Sequence, residues 1–149
     1  MATKFHYRKR SPLGGLAADI SAEADTSGTI PRCAMQISGK LWLQLPDAPM
    51  NWRDVAWMMY GLSLHSESLN TLHPQGLTVR VKSFSFPTSD YVPEVAAFAM
   101  EGWVREAFSL APAGISVEYD AARSGYDFSW DSGMPFSDEV SGIPLRHTW

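Results

Sequence analysis

The chain has 149 residues, enough for one ordinary domain with a real core that needs neither metals nor disulfides. Apolar residues make up 45% and charged residues 19%, which excludes a disordered chain, and the longest apolar run, residues 55–62, is too short to cross a membrane as a helix. Net charge is −4 and uneven: residues 1–10 carry +4, and residues 11–110 and 111–149 carry −4 each, so the acidic body argues against a nucleic-acid partner.

Residues 4–9 alternate, with Phe5 and Tyr7 on one side and His6 and Arg8 on the other, which predicts a short strand at a sheet edge. Ser11 to Gly15 break the pattern. Residues 16–28 are small, polar and acidic and read as a long loop, with a weak strand over 17–22 as the alternative. Residues 1–32 are therefore expected to hold an edge strand and a loop. Residues 34–45 have period two, interrupted at Gly39 by a bulge or bend and ended by Pro46.

Asn51 starts a predicted helix over 51–64. Trp52, Val55, Ala56 and Met59 share one stripe, Met58 and Leu62 widen it, and Trp57 lies off it. A polar loop follows to Gly76. Leu77, Val79 and Val81 alternate with Thr78, Arg80 and Lys82 in a strand over 76–86. Pro93 suits the first turn of a helix over 92–110. Its buried stripe reads Val92, Val95, Ala96, Ala99, Trp103, Ala107 and Leu110, with Glu94, Glu101 and Arg105 on the opposite face. Residues 115–121 and 125–130 predict a hairpin. One face carries Ile115, Val117, Tyr119, Tyr126, Phe128 and Trp130, and the other carries Glu118, Asp120 and Asp127. Residues 131–149 read as an irregular tail.

At an offset of 41 residues, Pro46, Ala56, Met59 and Gly61 meet Pro87, Ala97, Met100 and Gly102. A duplicated strand–helix unit would give this echo, and so would two similar amphipathic helices on one sheet. The pattern as a whole predicts a single α+β domain over 1–149. It is a two-layer sandwich, with two helices on one face of a mixed, mostly antiparallel sheet of four to five strands.

Phosphate-binding glycine motifs and a nucleophile elbow are absent from the sequence. Asp131-Ser132-Gly133 reads as a turn after the last strand. Cys33 is the single cysteine, so no intramolecular disulfide and no cysteine zinc cage can form, and no bound metal or cofactor is expected. With no signal-peptide pattern in the first residues, the expected compartment is the cytoplasm.

Three sets of residues are candidates for function. His65, Glu67 and His73 lie in one polar stretch, and two imidazoles with a carboxylate suffice to ligate zinc or for acid–base work near neutral pH, although no ligand spacing sets them on one helical face. Glu118, Asp120 and Asp127, extended by Asp131, form an acidic face that would steer a basic protein partner; a solvated sheet face is the simpler account of them. Trp57, off its stripe, and Trp42, facing away from Leu41 and Leu43, are candidate binding aromatics. The leading expectation is a small cytoplasmic interaction protein of the inhibitor, immunity or assembly-partner type. The alternative is a small enzyme or ligand-binding domain built around His65, Glu67 and His73. No membrane partner is expected, and a homo-oligomer stays open.

Overall fold

The computed structural model describes residues 1–130 together with Glu139–Val140 and Ile143–Pro144. They fall into two compact units, Met1–Ala113 and Gly114–Trp149.

The first unit is a mixed five-stranded sheet with helices packed against it. Strands β1 (Thr3–Lys9), β2 (Leu16–Asp25), β3 (Ala34–Ser38), β4 (Leu41–Gln44) and β5 (Leu77–Ser85) lie in the order β1-β2-β5-β4-β3. Only β4 and β5 run parallel. Such a pair needs a crossover, and α1 (Trp52–Ser63) and α2 (Ser66–Leu72) supply it. Helix α3 (Val95–Phe108) follows β5 and packs on β1 and β2, while α1 packs on α3. This is the α+β sandwich that the hydrophobic pattern predicts.

The sheet has two unlike faces. Ala18, Ile20, Ala22, Leu41, Leu43, Leu77, Val79 and Val81 are buried and form the helix side. The other side carries Lys4, His6 and Arg8 on β1, Asp19, Glu23 and Asp25 on β2, and Arg80 and Lys82 on β5. A register shift after Ser21 lets Lys82 and Ser83 share that side.

Strand β2 corrects the reading of residues 16–28 as a loop. Half of its buried residues are alanine, which has low strand propensity, so the alternation with Asp19, Glu23 and Asp25 is faint in the sequence. Small residues suit a central strand on which a helix must sit closely. A second correction concerns residues 34–45, which form a tight hairpin of β3 and β4 around Gly39. The polar stretch after α1 contains α2, held by buried Leu69. Asn70 of α2 staples the hairpin turn: its amide donates to Ser38 O at 3.1 Å and accepts from Lys40 N at 3.1 Å.

Asn51 caps α1 by accepting from Arg53 N at 2.9 Å. The buried stripe of α1 is Arg53, Asp54, Trp57, Met58, Gly61 and Leu62. The expected phase, through Trp52, Val55, Ala56 and Met59, is therefore rotated. Two buried charged residues conceal the true stripe, and Trp57 is core whereas Trp52 is 46% exposed. In α3 every residue from Val95 to Val104 is buried, including Glu101, which the sequence places outward.

In the second unit, β6 (Ser116–Asp120) and β7 (Gly125–Ser129) form a separate two-stranded sheet. Val117 pairs with Phe128, Glu118 with Asp127 and Tyr119 with Tyr126, so the apolar and acidic faces divide as expected. Tyr119 meets Tyr126 edge-on, Phe128 stacks on Trp130, and Val117 and Trp130 are buried. Strands β8 (Glu139–Val140) and β9 (Ile143–Pro144) pair antiparallel. The rest of the tail, Asp131 included, lies outside the described residues.

Candidate functional site

The histidine set is not brought together as a site. His65 stands at the cap of α2 and is buried; its Nε2–H donates to Glu101 Oε2 of α3 at 2.8 Å. Arg105 Nε donates to the same oxygen at 3.2 Å. Burial pushes the Glu101 carboxyl up, but the His65 hydrogen bond and the Arg105 guanidinium outweigh it and hold the group below the ordinary carboxylate range. Glu67 is exposed in the first turn of α2, and the His73 ring meets Phe108 edge-on at 5.5 Å. Among the described residues no three His, Cys, Asp or Glu side chains are grouped to hold a metal ion.

A second buried polar contact lies at the start of α1. Tyr91 O–H donates to Asp54 Oδ1 at 2.7 Å, and the Tyr91 ring stacks on Phe86 at 3.5 Å. Burial raises the Asp54 carboxyl and, with the Asp54 charge, also raises the Tyr91 phenol. Both groups are committed to packing α1 against the segment after β5.

The acidic hairpin is partly neutralised. Arg123 Nε donates to Asp120 at 2.9 Å, and Arg123 also pairs with Asp127. Glu118 stays exposed and directly opposite Asp127. Two carboxylates in that position repel, so the strand pair carries them at a cost to its own stability.

Of the two candidate aromatics, Trp57 is buried and Trp42 reaches the surface. It lies half-buried on the outer side of the sheet, paired with Gln36 and Thr78. Beside it opens a cleft of about 170 Å³ lined by Gly28, Thr29, Ile30, Lys40, Trp42, Gln75, Gly76, Leu77 and Thr78. Ile30 is 62% exposed at this cleft. Gly28, with φ +81°, lets the loop after β2 approach the Gln75 backbone: a Cβ there would lie 2.9 Å from the Gln75 carbonyl oxygen. A second groove of about 330 Å³ is lined by Gln44, Asp47, Arg80 and Lys82 among others. Its cations are engaged, Arg80 by Asp25 and Lys82 by Glu23 at 3.0 Å.

Sequence reasoning missed Ile30, Glu101, Asp54 and Tyr91. Ile30 is a lone apolar residue in a polar loop, which is a usable signal for exposure. The other three become partners only through the packing of α1 on α3 and on the segment after β5. Among the described residues no helix is long and apolar enough to cross a membrane. No family model, curated protein or solved structure matches the chain.

Proposed function

We propose that this chain is a protein-interaction module that seats a large apolar side chain of its partner in the cleft beside Trp42. The observation that carries the reading is Ile30, exposed on the rim of an apolar cleft whose size suits one such side chain. An exposed aliphatic residue next to a half-buried tryptophan is the composition of an interface anchor. The reading includes a reducing compartment, the cytoplasm, supported by Cys33, an exposed thiol. His65, the strongest candidate for catalysis, is 7% exposed, and this burial rather than its bond to Glu101 favours binding over an acid–base reaction.

The test is capture from an extract of the cell of origin, followed by kinetics with the purified partner. Ile30→Asp or Trp42→Ala should weaken binding by about 10- to 100-fold, the loss of one buried anchor of ~1.5–3 kcal/mol. A partner held equally by both variants would overturn the cleft as its seat.

The hairpin supplies the acidic part of the same reading. Glu118→Lys would replace a repulsive cross-strand pair with an attractive one. The melting temperature should then hold or rise slightly, while association with a basic partner slows and loses salt dependence. Unchanged association kinetics at low salt would remove the hairpin from the interface.

A further inference from the structure

Strand β1 is an edge of the five-stranded sheet, and among the described residues it is bonded to β2 on one side only. Its seven residues span about 23 Å, and alternate residues direct N–H and C=O away from β2. Such an edge is a template for one more strand unless its side chains forbid it.

The side chains forbid some strands and suit one kind. On the outer face Lys4, His6 and Arg8 are exposed. Asp19 alone answers two of them, accepting from His6 at 2.7 Å and pairing with Arg8 at 2.9 Å. Residues 1–10 hold four basic side chains and no acid. Strand by strand the outer face therefore alternates in sign: β1 is positive, β2 is negative with Asp19, Glu23 and Asp25, and β5 is positive with Arg80 and Lys82. The next stripe beyond β1 would be negative. A second β1 is excluded there, because Lys4 and Arg8 would face like charges.

On the helix side β1 presents Phe5 and Tyr7, both half-buried. The Tyr7 ring rests on Phe98 of α3 at 5.5 Å. An added strand with apolar residues on that side would lie beside Phe5 and continue the apolar face of the sheet. We infer that the β1 edge receives an extended segment of a partner protein whose side chains alternate acidic and apolar. The inference concerns other residues than those of the cleft and the hairpin, and it can fail while the proposed function stands.

The probe is a fluorescein-labelled peptide, Gly-Glu-Val-Glu-Val-Glu-Val-Glu-Gly, titrated against the whole chain by anisotropy. It should bind, and the matching peptide with lysine for glutamate should not. N-methylation of alternate amides along one edge should abolish binding, since strand addition needs those donors. Lys4→Glu should raise Kd by about tenfold while Lys4→Arg restores it, and circular dichroism should show both variants folded. Four results would overturn the inference: no binding of the acidic peptide, equal binding of the N-methylated peptide, equal binding of the lysine peptide, or a Kd indifferent to Lys4→Glu. Tighter binding of a DNA duplex through the same lysine would reassign the edge to a phosphate backbone. A dimer of the chain that Lys4→Glu dissolves and the peptide does not compete with would reassign it to a second copy.

Discussion

Glu101→Ala should unfold this protein far more easily than its place on a helix suggests. The carboxylate is 4% exposed and accepts from both His65 and Arg105 through one oxygen. Removing one member of a buried pair leaves the other dry and unsatisfied, which costs about 3–5 kcal/mol. For a chain of this size that is a fall in melting temperature of roughly 10 °C or more. The double variant His65→Leu with Glu101→Leu should recover most of the loss, because the buried imidazole goes with its partner and the Arg105 guanidinium, 37% exposed, can turn to water. Equal melting of the single and double variants would mean that the pair contributes nothing beyond its volume.

The same carboxylate sets a pH dependence. Its folded pKa lies below the ordinary value of 4.5, so the folded state holds this proton less tightly than the unfolded state. The resulting stability is fully present above that ordinary value and is lost as pH falls through the folded value. The His65 imidazole and the Arg105 guanidinium are the groups facing it. Denaturant titrations between neutral pH and about pH 3 should show this loss in the parent and a smaller one in Glu101→Gln. A parallel decline in both would assign the acid sensitivity to other carboxylates.

How much of this was legible in the sequence depended on whether the buried residues were apolar. Strand β5 and the hairpin of β6 and β7 have clean alternation, and both were readable. Strand β2 buries alanines, whose hydrophobic signal is small, so a central strand looked like a loop. Helix α1 buries Arg53 and Asp54, and a reading that assigns charge to solvent turned its phase and put Trp57 outside. Glu101 is misplaced for the same reason, although the sequence sets Arg105, its i,i+4 ion-pair partner, on the same face. Of the site residues, Trp42 was legible because strand parity alone sets it opposite Leu41 and Leu43. The cleft itself was not, because Ile30, Trp42 and Thr78 are brought together by the parallel pairing of β4 with β5 and by the loop from β2. No local pattern encodes that pairing.

Gly61→Ala should be the second large loss, and it separates two glycines that the 41-residue echo makes equivalent. A Cβ at Gly61 would lie 2.4 Å from the carbonyl oxygen of Ala97 and 3.0 Å from its Cα. Both are backbone atoms of α3, so relief requires moving one helix away from the other. A Cβ at Gly102 would lie 2.2 Å from the Phe5 ring, which is a side chain on a half-buried edge strand and can turn aside. Alanine gains about 1 kcal/mol of helix propensity over glycine at either position. Overpacking of a fixed backbone costs ~1–3 kcal/mol or more, and a bulkier Gly61→Val should exceed that range. Gly61→Ala is therefore expected to destabilise clearly, and Gly102→Ala to change stability by less than about 1 kcal/mol. Urea titrations of the two variants decide it. If Gly102→Ala proves the more damaging, Phe5 is locked as firmly as backbone. The β1 edge would then be a more rigid platform than its exposure implies.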